Sequence, residues 1–114
     1  MISIKYNIKA KPGKNLELLQ VMGSNIVNMQ RVEGCLNIDF EQDNLDKDQF
    51  VFRMDWQNNN LFKSLLNSNE FNIFAGSIHV LCHKPTVEFV GKDKRVIRII
   101  EKNYKKELLK EFNN

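Results

Sequence analysis

The first ten residues alternate between apolar and polar side chains. A period of two places the apolar positions on one side of an extended chain, which predicts a β-strand with one buried face. The apolar positions are Ile2, Ile4, Tyr6, Ile8 and Ala10. Pro12-Gly13 follows directly and ends the predicted strand.

From about Lys14 the apolar residues recur at intervals of three and four, which predicts an amphipathic helix ending at Glu33-Gly34. The predicted core stripe of this helix consists of Leu16, Leu19, Met22, Ile26 and Met29.

Two more alternating segments lie on either side of a polar stretch, residues 43–48, and predict a β-hairpin. Pairing centred on that stretch would place six apolar side chains on one face, as the pairs Phe40 with Phe50, Ile38 with Phe52, and Leu36 with Met54. On the opposite face, Arg53 is expected to pair with Asp39 or Asp55. The polar stretch lacks the central glycine and the closing glutamate of an EF-hand loop, so an ordinary turn is predicted rather than a calcium site.

The second half of the chain predicts two helices, a strand and a C-terminal helix. Asn58-Asn59-Asn60 marks the start of the first helix, Ser68-Asn69 is predicted to cap the second, and Pro85 precedes a strand at 86–90. From about Lys94 a helical stripe contains Ile97, Ile100, Tyr104, Leu108 and Phe112. The β-branched start of this segment leaves a strand open as the alternative at residues 96–100.

The predicted order is β-α-β-β-α-β followed by a helix. This is the ferredoxin-like α+β arrangement, a four-stranded antiparallel sheet with helices on one face. We therefore predict a domain at residues 1–91 and an amphipathic helical extension at residues 92–114. The second face of the sheet has no partner within this arrangement, so it would meet solvent or another sheet.

Composition and charge narrow the functional classes. The chain has 114 residues and a net charge of +3, with much of the positive charge in residues 92–114. Because the basic residues are not interleaved with aromatic residues along a stripe, no nucleic-acid partner is predicted. No apolar run approaches the ~20 residues of a membrane span, and no secretory signal is visible, so no membrane partner and a cytoplasmic location are predicted. Without an export signal, Cys35 and Cys82 are expected to be free thiols.

An ordered set of local features resembles the antibiotic biosynthesis monooxygenase (ABM) domain family. The features are Glu33-Gly34-Cys35 after the first helix, an aromatic hairpin closing on Trp56, Ser68 three residues before Phe71, and Pro85 before the last strand. The resemblance covers roughly residues 1–90. It implies a homodimer in which two ferredoxin-like sheets form a dimeric α+β barrel, and thus a partner for the second sheet face. It also implies a cofactor-independent monooxygenase-like protein that uses dioxygen on a small aromatic or quinol-like substrate.

The resemblance also suggests where a substrate would bind. An apolar pocket between sheet and helices would suit a flat aromatic ligand, and its predicted lining residues are Met54, Trp56, Leu65, Phe71 and Phe74. Tyr6 and His79 are the candidate catalytic residues, and no cofactor or metal is predicted. The open alternative is that these side chains only fill the core. The domain would then be a non-catalytic dimer that holds a ligand or serves a structural role.

Several family positions are occupied by other residue types. Met54 stands where many members have Glu, and Leu65 and Glu70 stand where many have His. The positions that match the haem-degrading branch hold Tyr6, Leu65 and Ala75 in place of Asn, Trp and His. We therefore expect that the protein does not degrade haem.

Overall fold

The computed structural model describes residues 1–90 and residues 96–99. The strands are β1 (Ile2–Lys9), β2 (Cys35–Gln42), β3 (Gln49–Trp56), β4 (Thr86–Val90) and β5 (Val96–Ile99). The helices are α1 (Asn15–Gln30), α2 (Asn59–Leu66) and α3 (Asn69–Leu81). Up to residue 90 the predicted elements form in the predicted order.

The strands form one antiparallel sheet in the order β2-β3-β1-β4-β5. Its first four strands, with α1 and the α2–α3 pair between them, form the predicted ferredoxin-like α+β fold. Val96–Ile99 adds a fifth strand along β4 rather than beginning a helix, as the β-branched residues there allow. The rest of the predicted C-terminal helix lies outside the described residues.

The hairpin register differs from the predicted one by two residues. Phe40 pairs with Phe52, and Ile38 pairs with Met54. The backbone N–H of Asp43 donates to the carbonyl of Gln49 at 2.8 Å. This bond centres the turn on residue 46, whereas the predicted pairing centres it on residue 45. A shift of two preserves the face of each side chain, so the predicted inner face still holds for these residues.

Leu36 is an exception on this strand, because the register shifts between Cys35 and Asn37. The irregularity turns Leu36 outward, and 56% of its surface is exposed. The prediction that Leu36 lies on the apolar face was wrong.

The buried stripe of α1 also differs from the predicted one. Leu18, Met22, Asn25 and Met29 face the core, whereas Leu16 is 71% exposed. Asn25 is 4% exposed, and its Nδ2 donates to Ser77 Oγ on α3 at 3.5 Å. A hydrophobic pattern cannot find this core position, because the residue that occupies it is polar.

The other two helices begin at the predicted caps. The side-chain oxygen of Asn58 accepts from the backbone N–H of Leu61 at 2.9 Å, and Ser68 Oγ accepts from Phe71 N at 3.2 Å. Each cap satisfies a backbone donor that has no partner inside the helix. None of the described helices is both long and apolar enough to span a membrane.

The two faces of the sheet have opposite character. The inner face packs against the helices in one core cluster, and its large side chains are almost completely buried. The outer face is polar and half-exposed: Ser3 Oγ donates to Asp55 at 2.7 Å, and Arg53 donates to Asp39 at 3.4 Å. The predicted pairing of Arg53 with an aspartate of this face is confirmed.

Candidate functional site

Six of the predicted site residues converge on the inner face of the sheet. Tyr6 comes from β1, Met54 and Trp56 from β3, and the others from the two helices above, Leu65, Phe71 and Phe74. Each has no exposed surface. The strands place their residues there because every second side chain points inward.

Tyr6, Phe52, Phe71 and Phe74 form what we call the aromatic cluster. The ring of Tyr6 meets that of Phe74 edge to face, with centroids 5.2 Å apart and an interplanar angle of 87°. Phe74 also lies 4.7 Å from Phe52 and 5.7 Å from Phe71. Such geometries add stabilisation beyond the burial of apolar area. Phe52 was not predicted as a site residue, although its position two residues before Met54 places it on the same strand face.

Trp56 occupies the end of the inner face nearest the start of α2. Its ring lies 6.2 Å from that of Phe62, which was also not predicted as a site residue. The indole nitrogen Nε1 is buried and has no hydrogen-bond partner among the described residues. A buried donor without a partner typically costs ~1–3 kcal/mol. This N–H is therefore available to an oxygen atom of a bound molecule.

Gly34 positions α2 over Trp56. Its φ of 96° lies in the left-handed region, and its carbonyl accepts from Gln57 N at 2.9 Å. A Cβ at this position would lie 2.6 Å from Cβ of Leu61, so the helix rests directly on the glycine. The Glu33-Gly34 pair of the family pattern thus has a steric explanation here: only glycine leaves room for α2.

A surface cleft of about 460 Å³ lies at the same end of the sheet. It is lined by Met1, Ile2 and the segment 57–60. Ile2 is also the direct cross-strand partner of Trp56. The cleft therefore combines apolar residues of the N-terminus with the carboxamides that lead into α2.

His79 is not part of this constellation. It is exposed on α3, whereas its neighbour Ile78 faces the core. The helix ends at Leu81, and His83 follows in the next segment, where its backbone N–H donates to Lys9. The two histidines therefore do not share a helical face. Within the described residues, no three histidine, cysteine or carboxylate side chains are grouped so that they could hold a metal ion.

Both cysteines are free thiols, as expected. Desolvation by burial raises the pKa of Cys82 to about 12, although the nearby charge of Lys11 lowers it slightly. Burial also raises the pKa of Cys35. Because the thiolate is the nucleophilic form, neither residue has the environment of a catalytic cysteine.

The family model for antibiotic biosynthesis monooxygenases matches residues 1–76, which is more than half of the chain. The chain belongs to this family. The match ends within α3, so it includes Tyr6, Trp56 and Phe74 but not His79. No curated protein matches the chain significantly.

Solved structures share the fold of this ABM domain at low sequence identity. A putative antibiotic biosynthesis monooxygenase from Nitrosomonas europaea is 13% identical, with a TM-score of 0.73 over 80% of this chain and 97% of that chain. A conserved protein from Methanosarcina mazei Go1 is 16% identical, with a TM-score of 0.73 over 80% of this chain and 91% of that chain. A mutant of SnoaB, a cofactor-independent oxygenase from Streptomyces nogalater, is 14% identical, with a TM-score of 0.70 over 77% of this chain and 88% of that chain. These similarities establish the fold.

Proposed function

We propose that this ABM domain is a cofactor-independent monooxygenase-like protein that oxidises a small hydroxyaromatic or quinol-like molecule with dioxygen. The observation that carries the proposal is the buried Trp56 N–H, which has no partner among the described residues. A phenol or quinol oxygen would satisfy this donor, and the aromatic cluster on the same face of the sheet would accept a flat ring. Family membership supports a monooxygenase-like role.

The proposed chemistry needs little from the protein. A phenol that is oxidised to a quinone gains one oxygen atom from O2; the other oxygen leaves as water with the two hydrogens of the phenol O–H and the ring C–H. The substrate supplies the electrons, so the protein must bind it, favour its anion and exclude water. In this scheme Trp56 Nε1 donates to the substrate oxygen, and the hydroxyl of Tyr6 is the second proposed hydrogen-bonding group. His79, exposed on α3, has no assigned step.

A bound substrate needs space that the described core does not leave open. Met54 and Leu65 are the two predicted lining residues that are not aromatic, and both are completely buried. Methionine adapts its shape most readily, so a rotamer change of Met54 is the proposed response to binding.

We further propose that the domain is a homodimer that associates through the outer sheet face. Support comes from the half-exposed polar side chains of that face, including Asp39, Arg53 and Asp55, and from the family to which the chain belongs. Light scattering tests this point: a monomer at micromolar concentration would contradict it.

A second candidate is a non-catalytic ABM domain. The filled interior favours it, because every predicted lining residue is without exposed surface. Met54, Leu65 and Glu70 at the family motif positions also favour it. Such a domain would bind the same class of ligand without oxidising it.

The deciding experiment measures oxygen consumption with 1-naphthol and with 1,4-naphthohydroquinone as probes. We expect uptake that stops at one O2 per naphthoquinone formed from 1-naphthol, without hydrogen peroxide, and a strong loss in Trp56→Phe and Tyr6→Phe variants. His79→Ala serves as the control, which should retain the rate. Binding without oxygen uptake would support the non-catalytic candidate instead.

Haem with a reductant provides a separate control. The replaced positions Tyr6, Leu65 and Ala75 predict that no iron is released and no ring-opened pigment appears. Formation of either product would contradict the proposed placement of the chain outside the haem-degrading branch.

A further inference from the structure

The cleft at residues 1–2 and 57–60 has an unusual relation to the buried indole. Ile2 lines the cleft, yet only 1% of its own surface is exposed. Ile2 is also the cross-strand partner of Trp56, and directly opposite residues of an antiparallel pair project to the same face. Ile2 therefore belongs both to the lining of the cleft and to the cross-strand pair that contains Trp56.

Two other described clefts lack this relation. One, of about 620 Å³, lies along α1 between Leu19 and Asn28. The other, of about 190 Å³, lies beside the hairpin turn, at the opposite end of β3 from Trp56. Neither is lined by a residue that pairs with or adjoins Trp56.

The lining of the cleft indicates what it would admit. Gln57, Asn59 and Asn60 contribute carboxamides, which can donate and accept hydrogen bonds, and Met1 and Ile2 are the apolar lining residues. The side-chain oxygen of Asn58, which also lines the cleft, already accepts from the backbone N–H of Leu61. A volume of about 460 Å³ suits a ligand of two fused rings. An aromatic molecule with a hydroxyl or carbonyl edge matches both properties.

We propose that this cleft is the entrance to the Trp56 site and that Ile2 is its gate. The ligand class is a hydroxy- or keto-substituted aromatic, which docks its polar edge on the carboxamides and passes Ile2 to reach the indole. This inference rests on the proposed function only in placing the ligand at Trp56; it does not require that the ligand is oxidised.

The single tryptophan of the chain makes the test direct, because all indole fluorescence comes from Trp56. Quenching by acrylamide measures access, and saturable quenching by 2-hydroxy-1,4-naphthoquinone measures binding. The variants are Ile2→Ala, which opens the gate, and Ile2→Phe, which narrows it. Ile8→Ala is the matched control, because Ile8 lies on the same face of β1, is equally buried and is remote from the cleft.

We expect Ile2→Ala to increase acrylamide quenching several-fold and to accelerate association of the naphthoquinone, while Ile2→Phe lowers both. Ile8→Ala should leave both near the wild-type values even though it loses the same methyl groups. Equal quenching in Ile2→Ala and Ile8→Ala would overturn the proposal, since acrylamide would then reach Trp56 through a general loosening of the core rather than past Ile2. If Ile2→Ala melts below the assay temperature, Ile2→Val replaces it with the same expected direction.

Oxygen uptake separates this inference from the proposed function. Gated quenching without turnover would uphold the entrance and reject the monooxygenase reaction. Turnover that is insensitive to Ile2 would reject the entrance and leave the reaction in place.

Discussion

The two ends of the inner sheet face are built differently. At the hairpin end, the ring of Phe50 stacks on that of Phe40 with centroids 5.1 Å apart and an interplanar angle of 5°. At the other end, Trp56 buries an N–H that no described residue accepts, and a cleft adjoins its partner Ile2. At the hairpin end the aromatic rings pack against each other, whereas at the Trp56 end a hydrogen-bond donor remains for a bound molecule.

The turn beyond Phe50 makes the contrast sharper. Asp43 Oδ2 accepts from the backbone N–H groups of Leu45 and Asp46, at 3.1 and 2.8 Å. Asp46 in turn accepts from Asp48 N and pairs with Lys9. The carboxylates of Asp43 and Asp46 therefore bind backbone N–H groups of the turn, which fits the ordinary turn that the sequence predicts. We therefore expect the hairpin end to contribute more to stability than the Trp56 end, which carries the cost of an unsatisfied donor.

The largest effect is expected at the hairpin end. Phe50→Ala removes a completely packed ring and should lower the free energy of unfolding by ~3–5 kcal/mol, as measured by urea denaturation. Leu45→Ala is the control on the same hairpin, since Leu45 is 97% exposed, and it should change stability by less than ~0.5 kcal/mol. Similar losses for both variants would show that the hairpin end is not the stable one.

Gly34→Ala should have the next largest effect. The left-handed φ alone costs ~1–2 kcal/mol for a residue with a Cβ, and the contact with Leu61 forces α2 to move as well. Gly13→Ala isolates the first contribution, because Gly13 has a φ of 77° but open space around its Cβ position. We expect a larger loss for Gly34→Ala and a shift of Trp56 emission in that variant alone. Equal losses would mean that α2 does not rest on the glycine.

Trp56→Phe should change stability only slightly in the absence of a ligand. The smaller ring loses packing, but the buried N–H disappears, and these contributions of ~1–3 kcal/mol each oppose one another. The free energy of unfolding, measured by thermal denaturation, should therefore lie within ~1 kcal/mol of the wild-type value. A much larger loss would indicate that the indole N–H has a partner within the protein, and the contrast between the two ends would fail.

The smallest effect is expected for the exposed pair of Lys9 and Asp46, whose side-chain atoms lie 3.0 Å apart. The hydrogen bond from Lys9 lowers the pKa of Asp46 below its ordinary 3.8, and the same bond raises the pKa of Lys9 above 10.5. The lowered carboxyl pKa stabilises the fold above pH 3.8 and this contribution is lost as the pH falls through the folded value. The raised amine pKa stabilises the fold fully below pH 10.5, and this contribution is lost as the pH rises through the folded value.

Asp46→Asn should therefore be slightly less stable than the wild type between those limits, and the difference should vanish at acid pH and in high salt. Melting curves over a pH series would check this. A difference that persists in acid would show that Asp46 acts through its turn hydrogen bonds rather than through its charge.

Much of the inner face could be predicted from the sequence, because the alternation along β1 and β3 fixes which side chains point inward. Tyr6, Met54 and Trp56 were found this way. Asn25 could not be found, since a buried amide contradicts the apolar pattern. Leu16 was misplaced for the opposite reason, because it is an apolar residue at an exposed position.

The predictions that the sequence could not make correctly depend on local backbone geometry. The centre of the turn depends on which N–H groups Asp43 and Asp46 bind, and composition does not reveal this. The exposure of His79 follows from the rotation of α3 about its axis, which its buried residues Phe74 and Ile78 determine. The Trp56 N–H is conspicuous only once its surroundings are known.

The irregularity between Cys35 and Asn37 also bears on solubility. Among the described strands, β2 lies at an edge of the sheet, and an edge with a regular row of free backbone groups can recruit another chain and start an aggregate. A bulge disrupts the regular ladder at one end of β2 and increases the local twist, so we expect an incoming strand to pair less well along β2. The same irregularity exposes the side chain of Leu36, so one aliphatic residue lies in solvent at the edge that the bulge protects.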